Sequence, residues 1–190
     1  MTRLPDVGTA AAPLELIARI HGTDTRCVLV VTGGGVASLS WLLGVPGASR
    51  TVLEGTVPYA TTALTELIGY EPAQAVSAAT AEAMARAAMA RAGKLDPDGG
   101  VPLVGVAATA ALVSDRPKRG EHRAQVAVAD KHGVRSWSLV LDKGRRGRTA
   151  EDALVSHLVV AALADACGIA TEPLAGLGPG DVLTAPQPQR

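Results

Sequence analysis

The chain has 190 residues, and its 18 basic and 18 acidic side chains give a formal net charge of zero at pH 7. A chain of this length buries enough surface to fold as one domain. Because its charge is balanced, it lacks the bulk electrostatic attraction on which binding to nucleic acids or anionic membranes depends, and we expect neither as a partner.

The N-terminus and the cysteines indicate where the protein works. Residues 1–13 carry acids and prolines where a secretory signal would need a basic start and an apolar run. No apolar stretch is as long as a membrane-spanning helix. Cys27 and Cys167 lie far apart in the sequence, without the spacing of a metal site, and are interpreted as reduced, buried residues. We therefore predict a cytoplasmic protein without a metal or cofactor.

Helices and strands are predicted to alternate in the first half of the chain. The apolar spacing predicts a short helix from Leu14 that ends at Gly22. A continuous β-branched run at Arg26–Thr32 is typical of a strand covered on both faces, and three glycines lead from it into a helix over residues 36–43. A strand over residues 51–59, with a proline that is typical of a sheet edge, precedes a helix over residues 61–68.

The second half of the chain predicts a helix, three strands and a final helix. Ser77 is expected to cap an alanine-rich helix that extends through Ala92. Thr149 and Asp152 have the spacing of a capping box, which predicts that the final helix begins there and continues to Ala166. The last two of the three strands form a hairpin. The predicted strands cover residues 101–107, 122–129 and 134–141.

This order of elements predicts the fold class and the domains. Alternating helices and strands followed by a hairpin fit a three-layer α/β/α domain with a mixed sheet. We expect this single domain to cover residues 13–170. Residues 1–12 and 171–190 are rich in Pro, Gly and Ala and are predicted to be an N-terminal and a C-terminal tail.

Two stretches of the sequence could bind an anion. Gly33, Gly34 and Gly35 follow the first strand, where their amides and the start of the next helix could hold a phosphate. A tight structural turn would need the same glycines. The second stretch is the basic loop, residues 114–123, whose guanidinium groups suit phosphate oxygens. A solvated basic rim is the alternative interpretation of this loop.

One histidine is a candidate for proton transfer. His122 lies beside Glu121 and Arg123 in the basic loop, and the charge of histidine changes near neutral pH. A surface histidine is the alternative interpretation. The four histidines do not have the spacing of metal ligands.

Five stretches in order resemble the CinA C-terminal domain family, the nicotinamide mononucleotide deamidase-like proteins. The strand, the glycine turn, the helix and the VPGAS of residues 45–49 resemble the family's AESCTGG, helix and DVPGAS segments. Gly55–Tyr59 resembles GGVVAYSNEAK, and residues 76–85 resemble VSEEVARAMA. Val104–Ala107 resembles part of TGIAGP, and Arg116–Gly120 resembles KPVGTV. The resemblance covers residues 12–170.

The resemblance implies a three-layer α/β fold, often as a homodimer, and hydrolysis of the carboxamide of nicotinamide mononucleotide to the acid and ammonia. It implies a serine of ESCTGG as nucleophile, assisted by the tyrosine and lysine of YSNEAK. If Thr32 matches the family threonine, the serine position falls on Val30, its preceding glutamate on Leu29, and the lysine on Leu64. Tyr59 matches the tyrosine. The chain is therefore identified as a divergent member that lacks the family Ser and Lys.

Two functions follow from these residues. The first is a divergent amidohydrolase that acts on a nucleotide-like or phosphorylated amide, with catalysis by Tyr59, Thr32, Thr109 or His122. The second is a non-catalytic nucleotide- or phosphometabolite-binding protein that has lost deamidase activity. Both predict a ligand site at the carboxyl ends of the strands. The predicted ligand-binding residues are Gly33, Gly34, Gly35, Gly105, Arg116, Lys118, Arg119 and Arg123.

Overall fold

A computed structural model describes residues 11–116 and 119–186 of the chain. The strands of this part form one six-stranded sheet in the order β2-β1-β3-β4-β5-β6. Strands β2, β1 and β3 are parallel to one another, and β3 to β6 pair antiparallel. The helices are α1 (Leu14–His21), α2 (Ala37–Gly44), α3 (Ala48–Thr51), α4 (Thr61–Ile68), α5 (Ala78–Leu95) and α6 (Arg148–Ala166). The strands are β1 (Arg26–Thr32), β2 (Val52–Thr56), β3 (Leu103–Ala111), β4 (His122–Asp130), β5 (Gly133–Leu141) and β6 (Val182–Thr184).

Helices cover both faces of the sheet. Helices α1, α2 and α6 pack on one side, which we call the α6 face, and α4 and α5 pack on the other, the α5 face. Successive strand residues point to opposite faces, so Leu29 of β1 lies in the core under α6 and Val30 lies in the core under α5. The predicted three-layer α/β/α class with a mixed sheet is confirmed.

The start of the alanine-rich helix was predicted correctly, and the start of the last helix was not. The amide of Thr80 donates a hydrogen bond of 3.1 Å to Oγ of Ser77, which caps α5 as expected. Helix α6 begins at Arg148 after Gly147, without a side-chain cap, so the predicted capping box is wrong. Asp152 instead accepts hydrogen bonds from the amides of Val36 and Ala37, at the start of α2.

Part of the predicted C-terminal tail is an ordered strand. Strand β6 pairs with β5, and the preceding Asp181 forms a buried ion pair with Arg146, in which 2.5 Å separates Oδ2 from Nη2. The Asp181 carboxylate also accepts the amides of Asp142 at 2.8 Å and Gly178 at 2.6 Å. Burial alone would raise the pKa of Asp181, but the hydrogen bonds from Arg146 and the two amides hold that pKa below its usual value.

We expect Arg146→Gln to destabilise the protein by about 3 to 5 kcal/mol, because it leaves the Asp181 carboxylate buried without a countercharge. Since the pKa of Asp181 is lowered in the folded state, its contribution is present above the ordinary carboxyl pKa and is lost as the pH falls towards the lowered value. Urea unfolding between pH 3 and pH 7 measures both effects. Arg145→Gln, at the exposed neighbouring position, is the matched control. Equal unfolding midpoints for the two variants would contradict this assignment.

Candidate functional site

One edge of the sheet collects most of the residues that the sequence singled out. The parallel strands β1, β2 and β3 all end at this edge, and the antiparallel β4 begins there. The first turn of α6 also lies there, because Arg148 donates a hydrogen bond of 2.8 Å to the carbonyl of Gly33. We call it the carboxyl edge of the sheet. In open α/β sheets this is the edge at which ligands bind.

A row of polar side chains crosses the α5 face near the carboxyl edge. In the strand register Thr32 is opposite Thr109, Thr109 is opposite Gln125, and Gln125 is opposite Ser138. Nε2 of Gln125 donates a hydrogen bond of 2.8 Å to Oγ of Ser138. Thr32, Thr109 and Gln125 are each at most 9% exposed. The row therefore forms a mostly buried polar surface beneath the loops that cross this edge.

The two threonine hydroxyls hold these loops in place. Oγ1 of Thr32 donates a hydrogen bond of 3.0 Å to the carbonyl of Pro58, and Oγ1 of Thr109 donates one of 2.7 Å to the carbonyl of Ala75. Tyr59 follows Pro58 and is 69% exposed. The structure thus brings Thr32, Thr109 and Tyr59 to one region. Among the described residues, each hydroxyl is bonded to a backbone carbonyl and not to a side chain that could remove its proton.

The positions that the resemblance assigns to the family serine and lysine lie inside the core. Val30 is 1% exposed and Leu64 is 4% exposed, and both belong to the hydrophobic cluster under α5. Leu29, at the glutamate position, is fully buried in the cluster on the other face. These side chains contribute to packing and cannot act as nucleophile, cation or base.

The glycine turn after β1 is required by close packing. Gly33 has a φ of +71°, and a Cβ added to it would lie 1.9 Å from the carbonyl oxygen of Ala110. A Cβ on Gly34 would lie 2.7 Å from Cδ1 of Leu112. Gly35 also has a positive φ, of +84°. The turn therefore needs glycine whether or not a ligand is bound.

The start of the helix after this turn already holds an anion. The amides of Val36 and Ala37 donate hydrogen bonds of 3.2 and 3.1 Å to the carboxylate of Asp152. Exposed amides at a helix start attract negative charge, and here the charge comes from the protein itself. A ligand phosphate at this helix end would have to displace Asp152.

The structure does not bring Gly105 to the carboxyl edge. It lies within β3 opposite Val28, four strand positions before Thr109. A Cβ added to Gly105 would lie 2.1 Å from the carbonyl oxygen of Ala85 and 2.3 Å from the amide nitrogen of Met89. Gly105 therefore allows α5 to pack closely on the sheet.

His122 lies on the opposite face of the sheet from Thr32. Its Nδ1 is 2.7 Å from Oε1 of Glu151, and the two residues are 5% and 0% exposed. The other oxygen of Glu151 accepts the amide of Val113 at 2.7 Å. This buried pair was not foreseen, because Glu151 and His122 are far apart in the sequence and only the folded sheet brings them together. The one sequence signal was an acidic residue in the first turn of α6.

The basic side chains divide into those with internal partners and those without. Arg146 pairs with Asp181, and Arg148 donates to the carbonyls of Gly33 and Val113. In contrast, the side chains of Arg116, Arg119 and Arg123 form no hydrogen bond or ion pair with another described residue. Arg116 and Arg119 are exposed, and Arg123 is half-buried on the α5 face, two residues before Gln125. Lys118 lies outside the described residues.

Away from the carboxyl edge, the described part of the chain contains a cavity. A cavity of about 660 Å³ lies at the opposite edge of the sheet, lined by residues that include Thr25, Gly100, His132 and Cys167. Within residues 11–116 and 119–186, no three His, Cys, Asp or Glu side chains are grouped closely enough to hold a metal ion. No helix in these ranges is long and apolar enough to cross a membrane.

The mixed sheet between two helical layers, with a glycine turn after β1, places the chain in a class of α/β/α proteins. Several solved structures have a similar fold. A competence/damage-inducible protein from Agrobacterium tumefaciens is similar, with 19% identity, a TM-score of 0.61, and coverage of 87% of this chain and 99% of that one. A CinA superfamily protein from Escherichia coli has 15% identity, a TM-score of 0.60, and coverage of 86% and 98%. No curated protein matches the chain significantly.

The family model of the CinA C-terminal domain matches residues 26–165. The chain therefore belongs to the CinA C-terminal domain family. At identities of 19% and 15%, the solved structures show the fold that the chain shares with them. Within that fold, the positions that the sequence resemblance assigns to the family serine and lysine are the buried Val30 and Leu64.

We expect Gly33→Ala to destabilise the protein by at least about 2 kcal/mol, because the added methyl would overlap the carbonyl of Ala110 at a positive φ. Gly44→Ala is the control, since nothing lies within 4 Å of a Cβ added there and alanine favours the helical state. Chemical denaturation of both variants checks the prediction. A Gly33→Ala variant as stable as Gly44→Ala would show that the turn is not packed as described.

Proposed function

We propose that this protein binds a small phosphorylated molecule at the carboxyl edge of the sheet and does not hydrolyse it. The observation that carries this proposal is the contrast among its arginines. Arg146 and Arg148 are bonded within the fold, whereas Arg116, Arg119 and Arg123 have no partner among the described side chains. Three guanidinium groups on one loop and the adjoining strand form a cationic region in a chain whose net charge is zero.

The geometry of guanidinium suits this ligand class. Its planar donors match two phosphate oxygens at once, and such charge-assisted bonds are stronger than neutral ones. Arg123 lies on the α5 face, as do Gln125 and Thr109 of the polar row. The exposed ring of Tyr59, at the same edge, is available to stack on an aromatic base or nicotinamide ring. A nucleotide-like ligand would use both features.

The proposal that the ligand is not hydrolysed rests on the surroundings of the Thr32 and Thr109 hydroxyls. Nucleophilic amide hydrolysis needs an activated oxygen or sulfur beside a base. Thr32 and Thr109 donate to the carbonyls of Pro58 and Ala75, and His122 lies on the other face, bound to Glu151. Val30 and Leu64 offer no reactive atom. Within the described chain these observations support binding over catalysis.

Replacing Arg116, Arg119 or Arg123 by Ala should weaken binding of ribose 5-phosphate. A well-placed charge-assisted bond contributes about 1.5 to 3 kcal/mol, so the most affected variant should lose roughly ten-fold to a hundred-fold in affinity. Calorimetry at fixed salt measures this loss, after the folding of each variant has been checked. Arg145→Ala, at an exposed position between β5 and α6, is the control. Affinity that is equal in all four variants and the wild type would leave the three arginines as a solvated rim.

The second candidate is a divergent amidohydrolase. One observation favours it: Thr32 is a hydroxyl residue at the end of β1, next to the loop that carries Tyr59. A small movement of that loop would release the hydroxyl from Pro58. The chemistry would be hydrolysis of the C–N bond of a phosphorylated amide, with water supplying the oxygen of the acid and ammonia leaving.

We expect no measurable ammonia release from nicotinamide mononucleotide, because Val30 and Leu64 cannot replace the family serine and lysine. A panel of phosphorylated amides, assayed for ammonia with the wild type and Thr32→Val, separates the two candidates. Turnover of roughly 1 per second or more that disappears in Thr32→Val would favour the amidohydrolase. Turnover that persists in Thr32→Val would contradict the binding proposal and would assign catalysis to a residue other than Thr32.

A further inference from the structure

A single carboxylate holds both ends of the basic loop. Oε2 of Glu151 accepts the amide of Val113, just before the loop, at 2.7 Å. Oε1 of the same residue is 2.7 Å from Nδ1 of His122, near the end of the loop. Val113 and His122 are thus the stem of the loop. Arg116 and Arg119 lie between them, and Arg123 follows His122 directly.

The burial of Glu151 shows that this contact is a strong constraint. Its side chain is 0% exposed, and that of His122 is 7% exposed. A carboxylate is expensive to bury unless it is paired and hydrogen-bonded, and both of its oxygens are bonded here. Glu151 also lies in the first turn of α6, where the helix dipole favours negative charge. The stem is therefore fixed to a rigid helix.

The loop arginines depend on this stem for their position. His122 and Arg123 are consecutive residues of β4, so their side chains lie on opposite faces of the sheet. The bond on the α6 face fixes the start of β4, and with it the place of Arg123 on the α5 face. At the other end of the loop, Arg148 donates a hydrogen bond of 3.2 Å to the carbonyl of Val113, and the amide of Val113 donates one to Glu151.

We infer that Glu151 is the positioning residue of the phosphate-binding loop: through Val113 and His122 it fixes the stem that sets the place of Arg116, Arg119 and Arg123. This inference rests on the proposed function. Glu151 itself does not touch the ligand, since it has no exposed surface.

The variant Glu151→Gln tests this inference with little change in shape. Glutamine can still accept the amide of Val113 through its oxygen, but it presents an NH₂ group towards Nδ1 of His122, which then has to be an acceptor. The contact with Val113 is retained, and the contact with His122 is weakened. His122→Gln is the second variant, and it leaves the bond between Glu151 and Val113 in place. Glu82→Gln is the matched control, because Glu82 accepts a hydrogen bond of 2.9 Å from Ser136, in β5.

The measurement is the affinity for ribose 5-phosphate by calorimetry at fixed salt. We expect Glu151→Gln and His122→Gln each to weaken binding roughly five- to ten-fold, and Glu82→Gln to bind like the wild type. Ring ¹⁵N shifts of His122 give an independent signature: Nδ1 should be protonated in the wild type and unprotonated in Glu151→Gln. His122→Gln leaves the bond between Glu151 and Val113 intact, so it still tests the inference if Glu151→Gln does not fold.

The outcomes separate this inference from the function on which it rests. If Arg123→Ala weakens binding but Glu151→Gln and His122→Gln do not, the positioning role is overturned and the proposed function stands. If Glu82→Gln weakens binding as much as Glu151→Gln, the effect is general destabilisation and the inference also fails. If none of the arginine variants changes the affinity, the proposed function itself is overturned.

Discussion

The start of α6 is the constraint on which the carboxyl edge depends. Three contacts from the first five residues of this helix hold separate segments: Arg148 holds the glycine turn, Glu151 holds the stem of the basic loop, and Asp152 holds the start of α2. Without them, loops that are distant in the sequence would share no common support. The buried carboxylate of Glu151 is central, because a charge taken out of water tolerates few geometries.

Much of the fold could be predicted from the sequence because its local signals agree with its tertiary structure. The β-branched run of β1, the Ser77 cap of α5 and the hairpin between β4 and β5 are each specified within a few residues. Two features differ from what the local sequence indicates, because a distant partner decides the outcome. Asp152 bonds to α2 instead of capping its own helix, and Asp181 fixes a strand in a segment that has the composition of a tail.

The candidate site was only partly predictable for the same reason. The basic loop and the glycine turn are visible as local composition, and Thr32 and Thr109 meet because the strand register places them side by side. The role of Glu151 depends on a register and a helix packing that no short motif encodes. Val30 and Leu64, at the positions that the resemblance assigns to the family serine and lysine, are buried in the core, which only the folded structure shows.

The location of the ligand site is tested most directly by a two-dimensional ¹⁵N–¹H NMR titration with ribose 5-phosphate, which suits a protein of 19.2 kDa. We expect the largest shift changes at the amides of Val113, Gly120 and Arg123, with smaller changes at Thr32 and Thr109. The amides of the residues that line the cavity at the opposite edge should show no shift change. Shift changes confined to Gly100, His132 and Cys167, or none at saturating ligand, would contradict a phosphate site at the carboxyl edge.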